Sequence, residues 1–202
     1  MGLFDGFSKG RKFSDLTKYV SDFKVAEETD ARGRLRRRAV YVGPWTMMRD
    51  TGLSVKIRLW ATLVLAFALA GGLVWTVVLN HAASSLAAVM LPLLAALFPT
   101  LYLLMGALSL PLRCRPMRRD QYMHSFIRMS RSALAIAVLT FAGLVMAFIH
   151  RAIRGEWAFA RGDWLFTGGC TGIAAAALVI IFLLRSIDLM ERENSAYDGQ
   201  PR

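Results

Sequence analysis

A chain of 202 residues, 55% of them hydrophobic and with a mean hydropathy of +0.42, is too apolar for an ordinary soluble domain. Its net charge of +11 at pH 7 comes from blocks of Lys and Arg separated by long uncharged runs, a pattern typical of a membrane protein. Because these blocks abut apolar runs instead of forming a folded basic surface, nucleic acid is disfavoured as a partner.

Residues 1–56 form a polar N-terminal segment. Four apolar residues within it recur at intervals of three and four, as on one stripe of a helix: Phe13, Leu16, Val20 and Phe23. This spacing predicts an amphipathic helix over about 12–28. Acidic residues match the basic ones here, so the helix lacks the cationic face of a lipid-seeking helix. Its stripe is expected to contact a partner protein or the chain's own inner loop, with the membrane surface as the other alternative.

An arginine-rich block, RGRLRRR, follows from Arg32 to Arg38. At a membrane surface each arginine is attracted to anionic lipid by roughly 1 kcal/mol. The candidate contacts for anionic head groups are Arg34, Arg36, Arg37 and Arg38. The sequence favours the simpler interpretation, in which the block only determines topology. Further on, Pro44 disfavours helix and predicts a short extended or turn segment.

Four uncharged runs come next, each of about 19 to 27 residues, against the ~20 that cross a ~30 Å hydrocarbon core. They cover 59–80, 86–112, 132–150 and 165–184. Each is predicted to be helical, because lipid offers no hydrogen-bond partner for stray peptide groups. The predicted fold class is therefore all-α: a polytopic four-transmembrane-helix bundle over 57–187, with the N-terminal amphipathic segment before it and a cytoplasmic tail at 188–202.

The uneven distribution of charge predicts the orientation. Thirteen Lys or Arg precede the first run, six lie between the second and third, and three follow the fourth, whereas the opposite side has only Arg151, Arg154 and Arg161. An excess of Lys and Arg marks the cytoplasmic side, so both termini are predicted to be cytoplasmic. The segment 81–84 is then a tight external hairpin. The compact size favours a bacterial plasma membrane.

The second run contains several prolines, and Pro99 falls near mid-membrane. A proline there leaves the carbonyl of Ala95 without its helical partner. The sequence favours an ordinary helix kink at Pro99. The alternative is a discontinuous helix that borders a ligand path, as in transporters.

Two charged flanks are predicted to be helical as well. Residues 118–132 place aromatic and apolar side chains on one face, which predicts an inward extension of the third helix. After the fourth run, Arg185, Asp188 and Arg192 stand at i, i+3 and i+7. That spacing predicts that the fourth helix continues past the membrane with surface ion pairs.

Small residues four apart suggest close helix contacts, because inside lipid helices associate through close packing and not through a hydrophobic drive. The predicted helix-packing positions are Gly168, Gly172 and Ala176 in the fourth run and Gly143 and Ala147 in the third, with Ala68 and Gly72 of the first as a further flat face. Packing within the chain is favoured. The alternative is that the fourth helix also contacts a second protein or a second copy of the chain.

The sequence offers little chemistry. No Asp, Glu, Lys, Arg or His lies between the ends of an apolar run, which disfavours ion-coupled transport. The HExxH, GxSxG, GxxxxGK[ST] and CxxC motifs are missing, so no catalytic, cofactor or metal site is predicted. Glu156 and Asp163 are flanked by Arg154 and Arg161, the spacing of simple charge neutralisation.

The leading functional hypothesis is a non-enzymatic accessory or assembly subunit that acts through helix–helix and cytoplasmic contacts. A permease or channel-like component lined by the second helix is the alternative, and a membrane enzyme ranks third. The expected partners are the lipid bilayer, through anionic head groups at the cytoplasmic face, and another membrane protein or a second copy. Neither nucleic acid nor a cofactor is expected.

Overall fold

The computed structural model describes residues 23–29, 35–41, 43–50, 52–78, 86–112, 116–155 and 161–192. The predicted external hairpin at 81–84 lies outside these residues, as do Arg34 and residues 12–22 of the predicted amphipathic helix.

Four long helices dominate the described structure: α1 (Leu53–Val78), α2 (Ala87–Leu108), α3 (Arg128–Arg154) and α4 (Arg161–Arg185). A short helix (Arg119–Tyr122) and a π-helical turn (Met123–Ile127) lead directly into α3, so the third helix is extended before its apolar run as predicted, while the inward direction of this extension remains a prediction. All four are long and apolar enough to cross a membrane, so the predicted four-helix arrangement is confirmed.

The helices pack in a ring, α1 against α2, α2 against α3, α3 against α4, and α4 back against α1. Large apolar side chains fill the interior, among them Leu59, Leu69, Leu73, Leu93, Leu103, Ile136 and Ile180. Four threonine hydroxyls are buried with them, and each donates a hydrogen bond to the carbonyl four residues earlier: Thr62, Thr76, Thr100 and Thr140. These polar groups are thus satisfied by their own helices, and the bundle needs no water there.

The outside of the bundle is as apolar as the inside. Large side chains point outward on every helix, and Phe98, for example, is 70% exposed. The outward-facing phenylalanines include Phe67, Phe98, Phe141 and Phe182. A water-soluble monomer rarely exposes apolar patches of this extent. Hydrocarbon is the solvent that such a surface suits.

A small sheet closes one end of the bundle, which we call the strand end. Strand β3 (Trp45–Met48) lies between β4 (Met117–Arg118) and β5 (Leu189–Arg192), antiparallel to both. The three strands come from before α1, between α2 and α3, and after α4. All three flanks therefore share one side of the bundle, and the extended segment predicted after Pro44 is present as β3.

The amphipathic helix predicted over about 12–28 is wrong for residues 23–28. These residues belong to strand β1 (Phe23–Thr29), which pairs antiparallel with β2 (Leu35–Tyr41). The register sets Glu27 opposite Arg37 and Glu28 opposite Arg36. The periodicity of the sequence takes no account of a partner strand, and here the pairing with β2 determines the structure.

Helices α4 and α2 both end earlier than predicted. Helix α4 ends at Arg185 instead of continuing, because residues Leu189–Arg192 pair with β3 as β5. The backbone pairing of β5 with β3 stabilises this segment more than the surface ion pairs of a continued helix, which are worth only a few tenths of a kcal/mol. Helix α2 ends at Leu108, short of the predicted 112, because Pro111 disfavours the helical conformation of the residue before it, Leu110.

Candidate interaction surfaces

The predicted packing glycines of α4 lie on the outside of the bundle. A Cβ atom added to Gly168 or Gly172 would meet nothing within 4 Å. Ala176 is half-buried at the edge of the core. The favoured interpretation, packing within the chain, therefore does not hold at Gly168 and Gly172, and contact with another molecule there remains a prediction.

The predicted packing residues of α3, Gly143 and Ala147, are buried. A Cβ on Gly143 would lie 3.3 Å from both the Leu93 Cγ atom and the Val89 carbonyl oxygen. Gly143 therefore packs against α2. The absence of a side chain at Gly143 allows the two backbones to approach closely.

Sequence reasoning missed two tighter contacts, at Gly169 and Gly106. A Cβ on Gly169 would lie 2.6 Å from the Thr76 hydroxyl oxygen of α1, and one on Gly106 would collide with the Met129 side chain. The core-facing side of α4 is a heptad-like series: Phe166, Cys170, Ile173, Ala177, Ile180 and Leu184. This series was a usable signal in the sequence. It predicts that Gly169 lies beside the core and that Gly168 and Gly172 lie away from it.

Tyr41 anchors the β1–β2 hairpin to the strand end. Its hydroxyl donates to the Pro44 carbonyl at 2.8 Å and accepts from the Arg119 amide at 3.2 Å. The Trp45 ring stands edge-on to the Tyr41 ring, with their centroids 5.3 Å apart, and the Arg118 guanidinium lies 5.6 Å from the Tyr41 centroid. One buried phenol thus links the N-terminal flank to the segment between α2 and α3.

The strand end is also fastened across α1 and the segment after α4. The Arg58 guanidinium donates to the Ser186 carbonyl at 2.7 Å. The Arg49 amide donates to the Asp188 carbonyl at 3.1 Å, and their side chains form an ion pair at 3.3 Å. Because both of those side chains are well exposed, the ion pair contributes little, and the backbone bonds hold the contact.

Tyr122 packs beside this sheet, with its ring centroid 5.7 Å from that of Phe126. Burial, and then the nearby Glu191 carboxylate, raises the pKa of the Tyr122 hydroxyl. The phenol is therefore neutral near pH 7, and its ring packs against Phe126.

Three of the arginines considered as lipid contacts lie on β2. The register sets Arg36 and Arg37 opposite Glu28 and Glu27, and Arg38 opposite Ala26. Contact of this block with anionic head groups remains a prediction.

A buried ion pair ties α3 to α4 at the opposite end of the bundle. The Arg151 guanidinium lies 2.9 Å from the Asp163 carboxylate, and the two side chains are only 14% and 6% exposed. Sequence spacing had suggested neutralisation of Asp163 by nearby Arg161 and Arg154. The structure pairs it with the preceding helix instead, since α3 ends at Gly155, at φ 67°, and packs against α4.

Helix α2 runs unbroken through Pro92 and Pro99. The Thr100 hydroxyl beside Pro99 donates to the Ala96 carbonyl at 2.7 Å. The discontinuous helix of the transporter alternative is thus not present in α2, while a kink at Pro99 remains a prediction.

Four membrane-spanning helices with an apolar core and an apolar outer surface define a polytopic integral membrane protein. In the part of the chain that the structure describes, no three His, Cys, Asp or Glu side chains are grouped to hold a metal ion. Comparison with protein-family models, with curated proteins and with solved structures finds no match.

Proposed function

We propose that this chain is a non-enzymatic accessory or assembly subunit of a bacterial plasma membrane, acting through contacts made by its helices and its cytoplasmic flanks. Its partner is another membrane protein or a second copy of the chain. The observation that carries the proposal is the outer face of α4. There Gly168, Thr171, Gly172 and Ala175 are all exposed, and the two glycines leave open space.

Such a face suits a helix of another molecule. Glycines and alanines one turn apart let a second backbone approach closely, and the exposed Thr171 hydroxyl adds a hydrogen-bonding group. The opposite side of α4 is already occupied by α1 through Gly169 and Thr76. The outer face is thus available without disturbing the fold.

The interior of the bundle favours this proposal over a permease. The described core consists of large apolar side chains, and the buried threonines donate to their own helices. A solute path needs polar groups that face it, and α2, the helix expected to line that path, buries Leu93, Ala96 and Leu103 instead.

The proposed orientation puts the strand end, and with it both termini, in the cytoplasm. The three flanks that meet in the β3–β4–β5 sheet are the ones that carry the excess of Lys and Arg. Basic flanks are retained on the cytoplasmic side. Sheet and charge therefore support the same topology.

Purification of the full chain from its own membrane in mild detergent tests the functional proposal. A stoichiometric membrane-protein partner, or a defined homo-oligomer that is inactive for solute flux in liposomes, is expected. A monomer without a partner would contradict the proposal, and so would flux through the purified chain.

Replacing Gly172 with isoleucine is expected to reduce partner recovery or self-association at least tenfold while leaving the thermal stability of the chain unchanged, because the new side chain fills only the open face. Co-purification yield and a thermal melt in detergent measure the two effects. Gly71→Ile is the matched control: Gly71 is also exposed, and its Cβ would also meet nothing, but it lies on α1. Equal loss in both variants, or in neither, would contradict a role for the α4 face.

Replacing Arg34, Arg36, Arg37 and Arg38 with glutamine is expected to leave the orientation of the chain unchanged, because six Lys or Arg remain between the second and third apolar runs. A reporter enzyme that is active only outside the cytoplasm, fused to the N-terminus, measures this. Reporter activity in the substituted chain would show that the block sets the topology by itself.

A further inference from the structure

Two arginines, Arg128 and Arg131, mark the start of α3 at the strand end. They are three residues apart and so are neighbours on the helix surface. Arg131 is exposed and Arg128 is half-buried. The ion pairs formed among the described residues involve other arginines. Within that part of the chain, therefore, no carboxylate neutralises these two charges.

An aromatic ring fixes the position of the first of them. The Arg128 guanidinium carbon lies 4.3 Å from the centroid of the Tyr102 ring, which belongs to α2. Attraction between a guanidinium and a ring face is significant at this distance. Tyr102 is 47% exposed, and its neighbours Leu101 and Met105 are exposed as well. The ring therefore holds the guanidinium at the outer surface of the α2–α3 pair.

The depth of this cluster follows from the packing of the helices. Helices α2 and α3 are antiparallel, and Gly106, in the last turn of α2, packs against Met129, next to Arg128. Beyond the arginines, α3 presents exposed apolar side chains from Leu134 through Val138 and Phe141. The two guanidinium groups thus lie where the apolar surface gives way to the polar strand end.

We infer that Tyr102, Arg128 and Arg131 form a binding site for the phosphate group of an anionic phospholipid, at a different place from the arginine-rich block on β2. An arginine at this depth extends its charged group to the head-group region while its stem stays in apolar surroundings. A guanidinium can donate two parallel hydrogen bonds to phosphate oxygens. Basic pockets between transmembrane helices bind anionic head groups in this way.

Lipid titration of the full chain in neutral detergent tests the site, with phosphatidylglycerol as the probe, phosphatidylcholine as the neutral reference, and native mass spectrometry to count bound lipid. Phosphatidylglycerol is expected to be retained in preference to phosphatidylcholine. Arg128→Gln and Arg131→Gln are each expected to lower its affinity about fivefold. Tyr102→Leu is also expected to lower the affinity for phosphatidylglycerol. Tyr102→Phe keeps the ring and is expected to bind with the affinity of the unmodified chain.

The matched control is Lys56→Gln, which removes an exposed cation at the same end of the bundle, on α1. Its affinity for phosphatidylglycerol is expected to equal that of the unmodified chain. An equal loss in Lys56→Gln would overturn the site in favour of diffuse surface charge. Displacement of the lipid by inorganic phosphate at matched concentration would overturn the assignment to a lipid head group.

Arg128→Lys serves in case Arg128→Gln does not fold. It keeps the charge and loses the paired hydrogen bonds, so it is expected to bind with intermediate affinity. Affinity equal to that of the unmodified chain would contradict the paired hydrogen bonds with phosphate. Circular dichroism of each variant separates a loss of binding from a loss of helix.

Discussion

Replacing Asp163 with alanine is expected to lower the free energy of unfolding by about 3–5 kcal/mol, the usual effect of leaving one member of a buried ion pair without its partner. The Arg151 guanidinium, 2.9 Å from the carboxylate, would remain largely buried and uncompensated. Asp163 lies in the first turn of α4 and Arg151 in the last turn of α3, so each charge also complements its helix dipole. Chemical unfolding in detergent, followed by tryptophan fluorescence, measures the loss.

A double variant separates two effects on stability: the loss of the attraction between Arg151 and Asp163, and the burial of one charge without its partner. Replacing Asp163 with leucine and Arg151 with methionine together is expected to be less destabilising than Asp163→Ala alone, because neither charge is then left buried. Arg154→Ala, one turn away at an exposed position, should change stability by less than about 0.5 kcal/mol. If Asp163→Ala behaved like Arg154→Ala, the ion pair would not be a fastening between the two helices.

Replacing Gly169 with isoleucine is expected to destabilise the α1–α4 contact by about 3 kcal/mol, at the upper end of what overpacking of a tight core usually does. The new Cβ would stand 2.6 Å from the Thr76 hydroxyl oxygen. Thr76 is fully buried, and its hydroxyl is bonded to the Gly72 carbonyl at 2.8 Å, so it cannot yield without losing that bond. Thermal unfolding gives the magnitude.

Cys170, buried beside Gly169, provides a local measurement for the same variant. The chain has one other cysteine, Cys114, which is first replaced with serine so that only Cys170 can react. In this background, Gly169→Ile is expected to speed the reaction of the Cys170 thiol with a maleimide. Gly168→Ile is the control, because it makes the same change one residue away, where the added atom meets nothing within 4 Å. Slow labelling in both variants would mean that α1 and α4 are not packed at this point.

The spans could be predicted from the sequence because each depends only on its own residues. A long uncharged run must be helical in lipid, whatever surrounds it. The ends of the helices were harder to predict, since they depend on distant partners. Nothing in residues 185–192 indicates a strand until β3, far away in sequence, is placed beside them. For the same reason residues 23–28 matched a helical period although they pair with β2.

For the packing surfaces too, the sequence predicts the features that depend on local residues and not those that depend on a distant partner. The four-residue spacing of Gly168 and Gly172 identified a flat face, but spacing alone does not say whether the chain itself or another molecule covers it. That depends on which side of α4 meets α1, and the buried series through Cys170 and Ile173 settles it. The pairing of Arg151 with Asp163 could not be predicted either, because it depends on how α3 and α4 pack against each other.

The β3–β4–β5 sheet has a consequence for biogenesis. Strand β3 is made before the first span, whereas β5 emerges only after the last, so one edge of β3 stays unpaired throughout synthesis and insertion. Exposed strand edges readily recruit other chains. A truncated chain that lacks β5 would keep this unpaired edge of β3 permanently. We expect such a chain to be a preferred substrate of the proteases that remove misassembled membrane proteins.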